Sequence, residues 1–304
     1  MLQMKKDWHW LKRISLAIVL TNVLIGIMTG LLIWWDLFDD LLNNFLFAHV
    51  MYTTLGVLNT LLIVWLFLKV DKKSPWLLGF QFTKRDFLFS CISIFVTLCT
   101  ALVFIWLADQ SGIVNATYHF NQIFTLDFYK LLVIASIGWF FAALKEEVLA
   151  RGYFMANLNQ FSIPKAIFIS SILFMALHFI MGDFDPFKAA SWLKGGIVYA
   201  YIYVKSGSLT VATIVHAAHN HINDLIIHGN DGALVLLASK IATSDKLIYE
   251  FALFVLLLGL TYLVYGRNGV FTPAPNLKTL WGKKEDPKID AIKLQSRGNM
   301  STQN

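Results

Sequence analysis

Apolar residues arrive in this chain as long, nearly unbroken blocks, without the alternation of a half-buried strand or the one-sided stripe of a soluble helix. Blocks at about 14–35, 44–68, 86–107, 128–158, 164–181, 187–204, 208–227 and 247–265 each approach the roughly 20 residues a helix needs to cross a hydrocarbon core. The sixth is interrupted by Lys194, Gly195 and Gly196. The pattern predicts an all-α, polytopic transmembrane bundle of about eight helices.

The polar gaps alternate in charge, and that alternation orients the bundle. The first gap holds Asp36, Asp39 and Asp40 and no basic residue, the second holds Lys69, Lys72, Lys73, Lys84 and Arg85, and the third has no basic residue. Lys165 and Lys205 fall on the basic side, Asp183 and Asp185 on the other, and only Lys240 and Lys246 run against the trend. The positive-inside rule then puts both termini in the cytoplasm.

Composition agrees. The chain is 57% hydrophobic and 14% charged, against roughly 25% charged in a soluble domain. Its net charge of +6 comes from loop and tail residues, with no basic face interleaved with aromatics, so nucleic acid is excluded as a partner. Cys91 and Cys99 share one apolar block and read as small hydrophobes. The first block is longer than a signal-peptide core and lacks a small-residue cleavage site, so it reads as an uncleaved helix. Three regions follow: helices 1–3 over 1–127, a polar-bearing core over 128–265, and a charged, loosely ordered cytosolic tail over 266–304. An integral, multi-pass protein of a bacterial plasma membrane is the expected setting, with the lipid bilayer as a standing partner.

Ionisable groups inside such a core are costly and mark function by default. "EEVLAR" brings Glu146, Glu147 and Arg151. Glu147 and Arg151 stand four apart with the acid first, the favoured ion-pair orientation, and a structural pair at a helix end explains them as well as chemistry does. Glu146 points about 100° away and lacks that partner. "FMALH" adds His178 beside Phe174, where a satisfied core histidine is the bland alternative. "HAAHNHIND" places His216, His219, Asn220 and Asn223 on one arc, with His221 elsewhere; hydrogen-bond glue between helices is the alternative there. Counted at 1.5 Å per residue from their nearest turns, Glu146, His178 and Asn220 reach a common depth.

A carboxylate and an imidazole around one water can deprotonate it for attack on a carbonyl, while a second imidazole and an amide stabilise the oxyanion. Glu146, His178 and His216 also make a plausible zinc set with an open position, and His219 could join it. No serine elbow or nearby cysteine supports covalent catalysis.

The ordered trio EEVLAR, FMALH and HAAHN, within about 128–227, resembles the EExxxR, FxxxH and HxxxN motifs of the CPBP family of CAAX-processing type II prenyl endopeptidases and Abi bacteriocin-processing or immunity proteins. The resemblance implies an intramembrane endopeptidase in which Glu146 and His178 activate water and His216 and Asn220 form the oxyanion site. Glu147 and Arg151 are supporting members. No cofactor is required in the glutamate-type version, which the asparagine favours; zinc is the alternative. The implied partner is a peptide or membrane-protein substrate, with or without a lipid modification, cut by CAAX-type or precursor processing near the cytosolic face. A non-proteolytic immunity or scaffold protein and a proton-coupled transporter are the competing classes.

Overall fold

The computed structural model describes residues 9–35, 45–180, 183–227 and 233–280. Asp36, Asp39, Asp40, Lys5, Lys6 and the tail beyond residue 280 lie outside them. Eight apolar helices appear in the order expected: α1 (His9–Trp34), α2 (Phe45–Val70), α3 (Lys84–Gln110), α4 (Leu126–Glu147), α5 (Ile163–Leu177), α6 (Pro186–Ser206), α7 (Leu209–Ile222) and α8 (Thr243–Tyr265). A short α9 (Pro275–Leu280) follows. The protein is an all-α polytopic bundle and an integral membrane protein. Five of its helices are long and apolar enough to cross a membrane unaided: α1, α2, α3, α8, and α4 with its continuation to Asn157. Large apolar side chains such as Leu16, Val23, Phe95, Val103 and Leu263 cover the outside, where acyl chains satisfy them.

The other three helices owe their place to packing. α5 has 15 residues, a rise of about 22 Å, short of a roughly 30 Å hydrocarbon core. It stops at His178, not near residue 181, so this imidazole sits at a helix end inside the bundle. α7 has 14 residues and runs into a π-helical turn, Asn223–Ile227. α4 likewise widens into π geometry over Val148–Phe154 before ending at Asn157. Backbone irregularity at membrane depth is tolerated only where protein or a wet cavity receives it, and both widened turns abut the polar motifs.

Local chemistry fixes the helix starts. Thr83 and Asp86 form a reciprocal capping box on α3, and Asp86 also accepts a 2.6 Å hydrogen bond from the Tyr265 hydroxyl of α8. Asp185 caps α6 by accepting from the backbone N–H groups of Phe187 and Lys188, with Pro186 in the first turn. The turns before α3 and α7 touch so closely that a Cβ on Gly79 would lie 2.1 Å from the Gly207 carbonyl oxygen, and both glycines have positive φ. A two-stranded antiparallel ribbon, β1 (Ala116–Tyr118) and β2 (Val235–Leu237), ties the α3–α4 and α7–α8 loops together at the opposite end.

Cys91 is exposed on the outside of α3. One expectation needs correction. The tail does not loosen at residue 266: Lys205 donates to the carbonyls of Gly269 (2.6 Å) and Thr272 (3.1 Å), Asn276 donates to that of Gly207 (2.6 Å), and Leu277 is fully buried. The α6–α7 turn needs this cover because its backbone would otherwise leave acceptors unpaired.

The adjacent glycines of α6 separate two roles. A Cβ on Gly196 would stand 2.9 Å from Ser171 Cβ and 3.0 Å from its Cα, whereas one on Gly195 meets only Tyr199 Cε2, at 3.5 Å. Gly196→Val is therefore expected to destabilise the bundle by at least the 1–3 kcal/mol typical of overpacking, roughly. Gly195→Ala should be neutral or stabilising by up to about 1 kcal/mol. Thermal unfolding of both variants in detergent checks the contrast; equal midpoints would mean that α5 and α6 are not in close contact.

Candidate functional site

The three polar motifs converge. At the end of α4, Glu147 is completely buried and forms an ion pair with the equally buried Arg151, Oε2 to Nε 3.2 Å. The contact is an electrostatic one, not an aligned hydrogen bond. Arg151 also donates through Nη2 to the Gly196 carbonyl at 3.2 Å, and its guanidinium lies 4.4 Å from the centre of the Phe174 ring. The pair does not mark a solvated helix end: it lies where α4 passes into its π-helical stretch, with every residue from Glu147 to Met155 buried.

Glu147 has a second function that spacing alone did not reveal. Its Oε1 accepts a 2.8 Å hydrogen bond from His216 Nδ1 of α7. With Arg151 against it, Glu147 is an ionised acceptor, so the proton of this bond belongs to the imidazole. His178 is set in the same way, its Nδ1 donating to the Phe174 carbonyl at 2.8 Å. Both rings thus turn Nε2 towards the same carboxylate oxygen, Glu146 Oε2, at 3.9 Å for His178 and 3.8 Å for His216. These separations exceed a direct hydrogen bond and leave room for one water against all three groups. The Glu146 side chain retains 27% exposure while that of Glu147 has none. Only the first of these neighbouring acids lines the cavity.

Aromatic rings hold the imidazoles. Tyr199 stacks on His216 with centroids 4.2 Å apart and planes at 16°, and Trp192 stacks on His178 at 4.7 Å and 26°. Neither was singled out in the sequence, although their spacing of seven puts both on one face of α6, a signal indistinguishable from core packing. The Tyr199 hydroxyl also bonds His219 Nδ1 at 2.6 Å. Asn223 accepts from the Tyr249 hydroxyl at 3.0 Å. His221 points away, as its angle predicts, and meets Ser136 of α4 at 3.0 Å.

These groups enclose a cavity of about 460 Å³, lined among others by Glu146, His178, His216, His219, Asn220 and Asn223. Its wall explains the break in the sixth apolar block. Lys194 is ion-paired with Glu250 of α8 beside the cavity. Asn220 lies four residues beyond His216, on the same side of α7, and lines the same space.

Zinc was the alternative for Glu146, His178 and His216. The three meet through one carboxylate oxygen at 3.8–3.9 Å, and among the described residues no group of three or more His, Cys, Asp or Glu side chains is arranged to hold a metal ion. No step below runs through a metal.

Fold and site together define a membrane-embedded helical bundle with a polar cavity in which one carboxylate faces two imidazoles. Residues 128–222, from α4 to the end of α7, match the family model of type II CAAX prenyl endopeptidase Rce1-like proteins. The resemblance to the CPBP family therefore holds over the stretch that carries all three motifs. Comparison with curated proteins and with solved structures returns no match.

The two glutamates should separate in a stability measurement. Arg151→Leu removes the guanidinium that faces the buried Glu147 carboxylate and is expected to cost about 3–5 kcal/mol. Glu146→Gln, at a partly exposed position without an aligned bond, should leave the unfolding midpoint in detergent within error of the parent. A large loss in Glu146→Gln would contradict the division.

Proposed function

We propose that the protein is an intramembrane endopeptidase that hydrolyses a peptide bond with a water activated by Glu146 and His178. The observation that carries this reading is the partly exposed Glu146 carboxylate, whose Oε2 faces two Nε2 atoms in a cavity. The match over residues 128–222 supports it. Its substrate is a polypeptide segment at the membrane, a lipid-modified tail or a peptide precursor.

In this mechanism water sits within reach of Glu146 Oε2 and His178 Nε2. Glu146 takes one proton as general base while the oxygen attacks the carbonyl carbon of the scissile bond. The Asn220 amide and His216 Nε2 donate to the oxygen of the tetrahedral intermediate. To donate there, His216 must carry protons on both nitrogens, and Glu147 is the counter-charge seated against it. Collapse of the intermediate breaks the C–N bond, and the proton held by Glu146 passes to the departing amine. Water is consumed, and a new carboxyl and a new amino terminus result. Glu146 ends ready for another cycle.

Comparing peptide termini in membranes containing the parent or Glu146→Gln protein tests the assignment. Termini produced by the parent should vanish in Glu146→Gln and His178→Ala, and their rate of appearance should fall about 10²–10³-fold in Asn220→Ala, the usual effect of losing one oxyanion donor. Full activity in Glu146→Gln would end the proposal. Treating the purified protein with a zinc chelator is expected to leave cleavage of such a substrate unchanged.

A further inference from the structure

The cavity is closed at one end of the bundle and open towards the other. Between Glu146 and the end of α4 at Asn157 lies a plug of side chains with no exposure, among them Arg151, Phe154, Ile202, Tyr203 and Ala212. In the opposite direction the lining climbs along every neighbouring helix: to Trp139, two turns back on α4; to exposed Lys188 and half-buried Ser191 near the start of α6; to Asp224 past the end of α7; and to Thr243 at the start of α8. The site is thus reached from the end where α4, α6 and α8 begin.

Charge identifies the sides. The plugged end carries Arg13 near the start of α1 and Lys69, Lys72, Lys73, Lys84 and Arg85 around the α2–α3 turn. At the open end the described loops 111–125, 183–185 and 233–242 hold one lysine, Lys240, and the first turns of α4, α6 and α8 add Lys130, Lys188 and Lys246, with no arginine among them. Short loops rich in lysine and arginine stay cytoplasmic.

We propose that the cavity opens on the non-cytoplasmic face of the membrane, and that the substrate is a polypeptide segment presented there, an exported precursor or the outward-facing juxtamembrane part of a membrane protein. This rests on the hydrolytic reading for the word substrate, but the direction of opening does not. It reverses the cytosolic-face cleavage that counting depth along the helices suggested. That count gave distances from the turns without showing which end was sealed.

Single cysteines placed in a Cys91→Ser, Cys99→Ser background of the full chain test it. In sealed vesicles with the cytoplasmic face outward, a membrane-impermeant maleimide should label Ser74→Cys at once. Ser191→Cys and Thr243→Cys should react only after detergent lysis. Labelling of Ser191→Cys or Thr243→Cys in intact vesicles, protection of Ser74→Cys, or no reaction at the cavity positions even after lysis would each overturn the orientation. This readout needs no proteolysis, so its failure is distinct from failure of the enzymatic assignment. As a second arm, the termini lost in Glu146→Gln membranes should map to exported or outward-facing segments; cytosolic tails among them would overturn the substrate class.

Discussion

The architecture around the cavity turns on one buried ion pair. Glu147 and Arg151 have lost all contact with solvent, a situation that is tolerable only where each charge has further polar partners. Those partners belong to different helices. Arg151 reaches the Gly196 carbonyl of α6 and the face of Phe174 on α5, while Glu147 holds His216 of α7. A single pair on α4 thereby fixes three neighbours, and the depth and rotation of His216 become consequences of packing. The glycine at 196 is part of the same constraint, since any side chain there would push α6 off Ser171 and its carbonyl out of reach of the guanidinium.

The widened turns and shortened helices follow from that constraint. α4 takes up a π-helical register across the seven residues after Glu147, and single stretches of π geometry are frequent at functional sites. The cost of the poorer backbone geometry is offset where the side chains gain partners they could not otherwise reach. α5 ends at His178 and α7 widens at Asn223, so two helices stop being regular at the depth where the cavity needs polar groups.

Much of this was legible in the sequence, and the parts that were not share a cause. The eight apolar blocks found their helices to within a few residues, because lipid and a spanning length leave little choice. The Glu147–Arg151 pair followed from spacing, as did the turn of His221 away from the cavity towards α4. Tyr199, Trp192 and the Lys194–Glu250 pair were illegible: an aromatic in an apolar helix looks like core, and a lysine in α6 finds its acid 56 residues away. The second function of Glu147 was hidden for the same reason, since its partner His216 lies on another helix. Docking of 266–280 against α6 was missed because proline and charge read as loose chain, whereas here the backbone carbonyls of that stretch satisfy Lys205.

Preorganisation is what distinguishes this cluster from a chance meeting of polar groups in a membrane protein. Each imidazole is fixed twice: by a hydrogen bond at Nδ1 that sets the tautomer, and by a stacked ring that sets the plane. Neither can turn without breaking a hydrogen bond and leaving its partner unpaired where water is scarce. Their Nε2 atoms are consequently aimed before any ligand arrives, so the proposed hydrolysis would need no reorganisation of them. A helix-to-helix glue would need only that polar atoms find one another. Here the atoms that remain uncommitted, Glu146 Oε2 and the two Nε2 positions, point into the same space, and they face the open end of the cavity, not the plug beneath it.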